Sequence, residues 1–320
     1  MEENQEATVA GPVKIVVIGV GSVGSATAYT LLLSGIVNEI VLIDINKDKA
    51  EGESMDLNHA APSITKSRAG DYADCAGAAI VIVTCGINQK HGQTRMDLAA
   101  KNAKIMQDII PNVAKYAPDT ILLIATNPVD VLTYISYKAS GFPLNRVIGS
   151  GTVLDTARFK YILGDHFKIS SDSIDACVIG EHGDSGVPVW SLTNIDGMKL
   201  RDYCEKSKQD FDEEAFQKIF EQTRDAAYDI IKRKGYTSYG IAAGLLRIVK
   251  AILEDTDSVL TVSTVGDYFG VEQIAISVPT RLNKSGAHQA AELTLDENEI
   301  ELMKKSAGEI KSVLKNLNIA

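Results

Sequence analysis

Hydrophobic residues in the first half of the chain fall into short runs, and helix-like patterns separate most of these runs. The runs are VKIVVIG, EIVLID, AAIVIVTCG, TILLIAT and RVIG, and a helical pattern follows each of the first three. Strands that alternate with helices pair in parallel, with the helices on both faces of the sheet. The pattern therefore predicts an α/β fold with a doubly wound parallel sheet.

The helical pattern after the third run is the clearest of them. Its apolar residues recur at the spacing of one helix face, so this face is predicted to pack on the sheet. These residues are Leu98, Ile105, Met106, Ile109, Ile110 and Val113.

The pattern changes after about residue 150. A helix with the sequence TVLDTARFKYIL is predicted first, and the run VLTVSTVGDYFGVEQIAISV indicates two antiparallel strands joined by a turn. Asp296, followed three residues later by Glu299, indicates the capped start of an amphipathic helix. We therefore predict a flexible N-terminal arm at 1–12, a first domain at 13–149, and an α+β domain with antiparallel strands at 150–320.

Composition and charge narrow the possible partners. The formal net charge of −10 and the lack of a basic stripe exclude nucleic acid as an expected partner. The first residues, MEENQEATVAGP, lack the cationic start and apolar run of a signal peptide, and no later run is long enough for a membrane span. A cytoplasmic protein with no membrane partner is the resulting expectation.

Cysteines and histidines give no sign of a metal site. No CxxC spacing occurs, and no two histidines have the spacing of metal ligands, so reduced thiols and no metal are expected. The residues concerned are Cys75, Cys85, Cys177 and Cys204, with His59, His91, His166, His182 and His288.

A glycine-rich loop follows the first apolar run. Gly19, Gly21 and Gly24 have GxGxxG spacing, which lets the backbone approach a pyrophosphate at the start of the next helix. Asp44 comes 20 residues after Gly24, at the end of EIVLID, where a carboxylate bonds the ribose hydroxyls of a dinucleotide. A structural glycine turn is the weaker alternative. The loop predicts a Rossmann-type domain, and the carboxylate favours NAD over NADP because it would repel a 2′-phosphate.

Two further signals lie in the second half. Asp155 and Arg158 are three residues apart and share a helix face, which by itself most often means an ordinary salt bridge. His182 ends an apolar run in VIGEHGDSG, and a histidine beside a carboxylate can have its pKa raised from about 6.5 into the range of an acid/base catalyst. Each signal alone leaves a structural role open.

Taken in order, the motifs GVGSVG, LIDIN, NQKHGQTR, TNPVDVLTY, GSGTVLDTARF, GEHGDS and KGYTSYGIA closely resemble the lactate/malate dehydrogenase family, and specifically its L-lactate branch. The resemblance extends from about Val13 to the C-terminus. It implies reversible hydride transfer between NADH and pyruvate, giving L-lactate and NAD. The alternative is a malate dehydrogenase of the lactate-dehydrogenase-like type. The resemblance also implies a homotetramer that acts in glycolysis and fermentation.

The resemblance implies a catalytic role for four charged residues. His182 would donate a proton to the ketone oxygen and accept it in the reverse reaction, and Asp155 would hold its imidazole. Arg158 would bind the substrate carboxylate through two hydrogen bonds, and Arg95 would polarise the carbonyl.

Neutral residues complete the implied site. Asn127 would bond the carbonyl oxygen and contact the cofactor, and Thr237 would line the substrate pocket. In addition to the glycine loop and Asp44, the cofactor contacts implied by the resemblance are Val23, Lys49, Tyr72, Gly86, Ala125, Thr126 and Ser150.

The loop TCGINQKHGQTRMD, residues 84–97, resembles a lid that closes over cofactor and substrate. Gln89 is implied to face the third carbon of the substrate, where an amide suits the methyl of pyruvate and an arginine would suit the second carboxylate of oxaloacetate. The lactate branch commonly reads QKPGET here, and this chain has His91 and Gln93 in place of the proline and the acid. Some reaction with oxaloacetate is therefore expected.

A second departure concerns regulation. Many bacterial relatives bind fructose 1,6-bisphosphate between subunits through an arginine and a histidine, at positions where this chain has Lys160 and Asp175. An aspartate opposes phosphate, so we expect this activation to be weak or absent.

Two other protein classes are less consistent with the sequence. An NAD-dependent glycosidase would need a metal site, for which clustered ligands are lacking. A non-catalytic NAD-binding protein would be free to lose Asp155, Arg158, His182 or Arg95, and all four are present.

Overall fold

The computed structural model describes residues 12–60, 65–87 and 95–319, with the side chain of Arg95 outside the description. The predicted arm therefore lies almost entirely outside the described residues. The described strands are β1 (Lys14–Ile18), β2 (Glu39–Ile43), β3 (Lys66–Ala69), β4 (Ile80–Val83), β5 (Ile121–Ile124), β6 (Val147–Gly149), β7 (Ile174–Asp175), β8 (Val178–Ile179), β9 (Val187–Pro188), β10 (Asn194–Ile195), β11 (Met198–Lys199), β12 (Ser258–Tyr268), β13 (Val271–Asn283) and β14 (Gly286–Gln289).

The described helices alternate with these strands in the first half of the chain. They are α1 (Ser22–Ser34), α2 (Lys47–Ala60), α3 (Arg95–Tyr116), α4 (Val129–Ser140), α5 (Val153–Phe167), α6 (Leu200–Ser207), α7 (Glu213–Lys234), α8 (Tyr239–Leu253) and α9 (Glu297–Asn316). None of the helices described here has a stretch long and apolar enough to cross a membrane.

One sheet of nine strands runs through the described structure in the order β14-β13-β12-β6-β5-β4-β1-β2-β3. The six strands from β6 to β3 pair in parallel, and β12, β13 and β14 pair antiparallel. Both parts of the predicted fold class are therefore confirmed. One difference is that β12 pairs with β6 through Ser263 and Gly149, so the antiparallel strands extend the first sheet.

Alternate residues of the parallel strands enter two cores on opposite faces of the sheet. In β1, Val16 and Ile18 pack with α3, α4 and α9, whereas Ile15 and Val17 pack with α1 and α8. Met106, Ile110 and Val113 of α3 are fully buried as predicted, with Ile105 and Ile109 partly buried against the same core. Each fully buried aliphatic side chain contributes about 1.5–3 kcal/mol, so these strands are stable only with helices on both sides.

A third core, rich in aromatic side chains, supports α5. The ring of Phe159 packs edge-on against Trp190, with centroids 4.8 Å apart, and also against Phe220 of α7. α5 also contacts strand β12, so the start of the helix has a fixed position. Asp155 lies in its first turn and Arg158 one turn later.

The last helix, α9, begins with the predicted capping box of Asp296 and Glu299. Glu299 is only 3% exposed, and its carboxylate also accepts hydrogen bonds from the N–H and hydroxyl of Ser191, at 2.9 and 2.6 Å. These bonds attach α9 to the segment after β9, and α9 covers one face of β13.

Candidate active site

Two threonines, Thr152 directly before α5 and Thr156 in its first turn, fix the helix against strand β8. The hydroxyl of Thr152 donates to the carbonyl of Val178 at 2.6 Å, and the hydroxyl of Thr156 accepts from the N–H of Val178 at 3.0 Å. Since His182 lies four residues beyond Val178, this register brings the end of the β8 segment to the first turn of α5.

The histidine and the two charged residues of α5 meet at this junction. The Nδ1 atom of His182 lies 2.5 Å from an Asp155 carboxylate oxygen, and Arg158 donates to the other oxygen at 3.2 Å. The three side chains are between 14% and 21% exposed. Asp155 and Arg158 therefore form the ordinary salt bridge and also lie beside the histidine.

Electrostatics at this junction favour a charged imidazole. Burial lowers the pKa of His182, but the charge and hydrogen bond of Asp155 outweigh burial, so the pKa is raised above its usual value. Burial raises the pKa of Asp155, and His182 and Arg158 outweigh it in turn, so this pKa is lowered. The two charges therefore favour an imidazolium beside a carboxylate, which suits a proton donor.

The segment that carries His182 is anchored by three residues that sequence reasoning did not identify. Gly180 exchanges two backbone hydrogen bonds with Ser277 of β13, at 2.8 and 3.1 Å. The N–H of Glu181 donates to Ser306 of α9 at 2.8 Å, and the N–H of His182 donates to Asp130 of α4 at 2.7 Å. The one available signal was a charged residue, Asp130, inside the otherwise apolar start of a helix.

The glycine loop lies between β1 and α1 with very little free space on one side. Gly19 has a φ of +94°, and a Cβ added to Gly24 would lie 1.8 Å from the carbonyl oxygen of Gly19. A Cβ on Gly21 would meet nothing within 4 Å. Because Gly21 is the N-cap residue, no side chain caps the start of α1. The open side of the loop at the start of a helix fits a pyrophosphate.

Asp44 is held next to this loop at the end of β2. Its two carboxylate oxygens accept hydrogen bonds from the N–H groups of Val20 and Asn46, at 2.8 and 2.9 Å. A cleft of about 290 Å³, lined among others by Gly21, Lys49 and Tyr239, opens beside the loop. Loop, carboxylate and cleft together fit the diphosphate and ribose of a dinucleotide.

The other predicted cofactor residues lie near the carboxyl ends of the parallel strands, where such sheets bind ligands. Thr126 donates to the carbonyl of Cys85 at 2.7 Å, and a Cβ on Gly86 would come within 2.5 Å of the Thr126 methyl. The N–H of Ser150 donates to the carbonyl of Ile124 at 2.8 Å. Val23 lies in the first turn of α1, Tyr72 is half-buried against the core, and Ala125 follows β5.

Some predicted substrate residues are only partly described. Asn102 of α3 accepts from the N–H of Ile87 and donates to the carbonyl of Asn127, both at 2.8 Å, and so joins the start of the predicted lid to the TNP segment. Thr237 lies two residues before the start of α8 and is half-buried. Gln89, His91 and Gln93 lie outside the described residues, as does the side chain of Arg95.

The chain is similar to known proteins in both sequence and structure. The family model described as the lactate/malate dehydrogenase NAD binding domain matches residues 13–149, and the model for the alpha/beta C-terminal domain of the same family matches residues 152–318. A probable L-lactate dehydrogenase of Schizosaccharomyces pombe is 50% identical over 309 residues, which cover 96% of this chain and 94% of that protein. An L-lactate dehydrogenase of Acetivibrio thermocellus is 49% identical over 310 residues, which cover 96% of this chain and 98% of that protein.

Solved structures agree with these sequence matches. The crystal structure of a lactate dehydrogenase enzyme from a Medee basin deep-sea metagenome library matches with a TM-score of 0.91 and 40% identity, covering 96% of this chain and 99% of that chain. A minor L-lactate dehydrogenase from Enterococcus mundtii matches with a TM-score of 0.91 and 39% identity, covering 95% and 98%.

A pair of glycine substitutions tests how the loop is used. Gly24→Ala should lower the melting temperature, because its methyl group would collide with the Gly19 carbonyl and cost about 1–3 kcal/mol. Gly21→Ala should leave the melting temperature unchanged, since Gly21 has a φ of −70° and free space around it. Its methyl group would instead occupy the dinucleotide space and raise the Kd for NADH on the order of tenfold.

The melting temperature can be followed by circular dichroism and NADH binding by fluorescence titration. If Gly21→Ala bound NADH as tightly as the parent, the dinucleotide would not lie against the open side of this loop.

Proposed function

The chain belongs to the lactate/malate dehydrogenase family, and from this premise we propose that it catalyses reversible hydride transfer between NADH and pyruvate, giving L-lactate and NAD. The single observation that carries the proposal is the contact of His182 with Asp155 and of Asp155 with Arg158, at 2.5 and 3.2 Å. The curated relatives named L-lactate dehydrogenase support the same reaction.

His182 is the proposed proton donor. Its Nδ1 atom is held by Asp155, so the Nε2 atom is the one that can give a proton to the ketone oxygen of pyruvate. Since the pKa of His182 is raised by Asp155, the imidazole favours the protonated form that can give this proton. In the reverse reaction the neutral imidazole accepts the hydroxyl proton of lactate, and Asp155 stabilises the resulting charge.

Arg158 is the proposed anchor for the substrate carboxylate. One of its guanidinium nitrogens bonds Asp155, and the planar group has further N–H donors for a two-pronged bond with a carboxylate. Its position on the same helix face as Asp155 places the bound carboxylate and the donor histidine on one side of α5. Pyruvate is thereby oriented with its ketone near His182.

The chain would hold NAD with the loop from Gly19 to Gly24, with Asp44, and with the strand ends at Thr126 and Ser150. Bound NADH supplies the hydride. Lys49, Val23, Tyr72, Gly86 and Ala125 are the remaining proposed contacts, together with Asn127. The division into domains at 13–149 and 150–320 is likewise our proposal.

The lid is proposed to close the site against water. Arg95 would polarise the ketone oxygen, Asn127 would bond it, and Thr237 and Gln89 would line the space around the methyl group. Exclusion of water strengthens each of these charge interactions.

We also propose a cytoplasmic homotetramer that serves glycolysis and fermentation, where pyruvate reduction regenerates NAD. Exposed apolar side chains on the adjoining helices α1, α2 and α8 support an assembly. Leu33 is 61% exposed, Met55 is 61% exposed and Tyr239 is 74% exposed. A second copy that covered these side chains would remove them from water.

The first test concerns His182. The variant His182→Asn should reduce turnover with pyruvate by at least about 100-fold, because the general acid is lost. NADH binding should persist, since the dinucleotide residues lie on other elements. Turnover is measured by stopped-flow and steady-state NADH absorbance, and NADH binding is measured by fluorescence titration. Near-normal turnover of the variant would remove His182 from the mechanism.

The second test concerns substrate choice. The parent should have a higher kcat/KM for pyruvate than for oxaloacetate, and Gln89→Arg should reverse this preference. The arginine would pair with the second carboxylate of oxaloacetate, whereas with pyruvate it would be buried unpaired at a cost of about 3–5 kcal/mol.

Gln89→Leu is the matched control, since it fills the same space without a charge. A parent that prefers oxaloacetate would favour the malate alternative. A ratio that does not move in Gln89→Arg would show that Gln89 does not face the substrate.

The third test concerns activation by fructose 1,6-bisphosphate. Asp175 is exposed at the end of β7, and both Asp175 and Lys160 act electrostatically on the nearby thiol of Cys177. Because the carboxylate opposes a phosphate at this position, millimolar effector should change the half-saturation for pyruvate less than about twofold. A several-fold decrease in the pyruvate titration would point to an anion site elsewhere.

A further inference from the structure

Asp130 is a buried carboxylate beneath the segment from Gly180 to His182, called the histidine segment below. It lies in the first turn of α4, three residues after Asn127, and is 2% exposed. One carboxylate oxygen accepts the N–H of His182 at 2.7 Å, and the other accepts the hydroxyl of Ser277 at 3.4 Å. Asp130 therefore connects helix α4, strand β13 and the main chain of the proton donor.

The charge on this carboxylate persists at neutral pH despite its burial. Burial raises the pKa of Asp130 to about 6, while Ser263, the His182 N–H and the charge of His182 lower it and Glu181 raises it. The start of α4 adds the positive end of a helix dipole. A neutral acceptor would satisfy the His182 N–H equally well, and a buried charge costs more than a buried amide. The charge itself therefore requires an explanation.

The charges around His182 give that explanation. Asp155, Asp130 and Arg158 are the charged groups that act on His182, and both carboxylates raise its pKa whereas Arg158 lowers it. The two negative charges of the carboxylates are balanced only when the imidazole carries a positive charge in addition to that of Arg158. Glu181 is a further negative group that faces Asp130, but it is half-buried and bonded to Ser185.

We infer that Asp130 is a positioning residue for proton transfer, which fixes the main chain of His182 and supplies the second negative charge that keeps its imidazole protonated. The inference rests on the proposed function, because it concerns the state of the proposed proton donor. It differs from a purely structural role in that the charge, and not only the hydrogen bond, is needed.

The variant Asp130→Asn separates charge from hydrogen bonding, since its amide oxygen can still accept from the His182 N–H. Loss of the negative charge should lower the pKa of His182 by about 0.5–1 unit. The alkaline limb of kcat/KM for pyruvate reduction requires protonated His182, so it should move to lower pH. The acid limb for lactate oxidation requires neutral His182, so it should move to lower pH as well.

A second readout does not depend on activity. Diethyl pyrocarbonate modifies neutral imidazole, so the pH dependence of the His182 modification rate, located by peptide mass spectrometry, reports its pKa directly. If the parent failed to reduce pyruvate, the proposed function would fail, and the modification experiment would still decide whether Asp130 raises the pKa of His182.

Two serine variants serve as comparisons. Ser277→Ala removes a hydrogen bond to the Asp130 carboxylate, which should raise the pKa of Asp130 and so reduce the fraction of Asp130 that is charged. The pKa of His182 should then fall, by less than in Asp130→Asn. Ser306→Ala removes the acceptor of the Glu181 N–H without changing any charge, so it should lower turnover with no shift of either limb.

The outcomes are distinct. The inference is supported if the pKa of His182 falls in Asp130→Asn, falls by less in Ser277→Ala and does not change in Ser306→Ala. If Asp130→Asn is folded and neither the limbs nor the modification profile move, the inference is overturned. If Asp130→Asn does not fold, an unshifted profile in Ser277→Ala overturns it.

Discussion

The hydrogen bonds of Thr152 and Thr156, at the start of α5, with the backbone of Val178 are the constraint on which the rest of the site depends. They set the register between the helix that carries Asp155 and the strand that leads to His182, residues that are 27 positions apart along the chain. A slip of one residue in this pairing would turn the side chains of β8 to the opposite face and separate the histidine from its carboxylate. The aromatic core below α5 and the sheet beside it both act to keep this register.

A second group of contacts holds the histidine segment from the other side. Ser277, Ser306 and Asp130 come from β13, α9 and α4, three elements that pack in the same core, and each anchors the short segment that carries His182. The position of the proton donor therefore depends on elements from both halves of the chain. This arrangement is what proton transfer requires, because the donor atom must stay within hydrogen-bond distance of the reacting oxygen.

The sequence was most informative where a local signal was strong. Long apolar runs predicted β1, β2, β4, β5 and β6, because strands buried on both faces are apolar throughout. Strand β3, with the sequence KSRA, was missed because an edge strand needs few apolar residues. The pairing of β12 with β6 was also missed, since hydrophobic patterns indicate strands but not their neighbours.

The same limit applies to the site. The glycine loop and Asp44 were recognisable from spacing, because they serve one ligand from one βαβ unit. Asp155 and His182 were connected only through the family resemblance, since their contact depends on tertiary register. The only local signal of Asp130 was a charge in an apolar helix start, which did not indicate its role because such a residue most often serves the helix.

The sheet that continues from β6 into β12 has a consequence for the independence of the two halves of the chain. The halves match separate domain families, yet Gly149 at the end of the first half is hydrogen-bonded to Ser263 of the second. If the first half were made alone, β6 would become an open edge with unpaired backbone groups, and such edges recruit strands from other molecules. The boundary between the two family matches therefore lies within one continuous sheet, and the second half pairs with the strand edge that the first half alone would leave open.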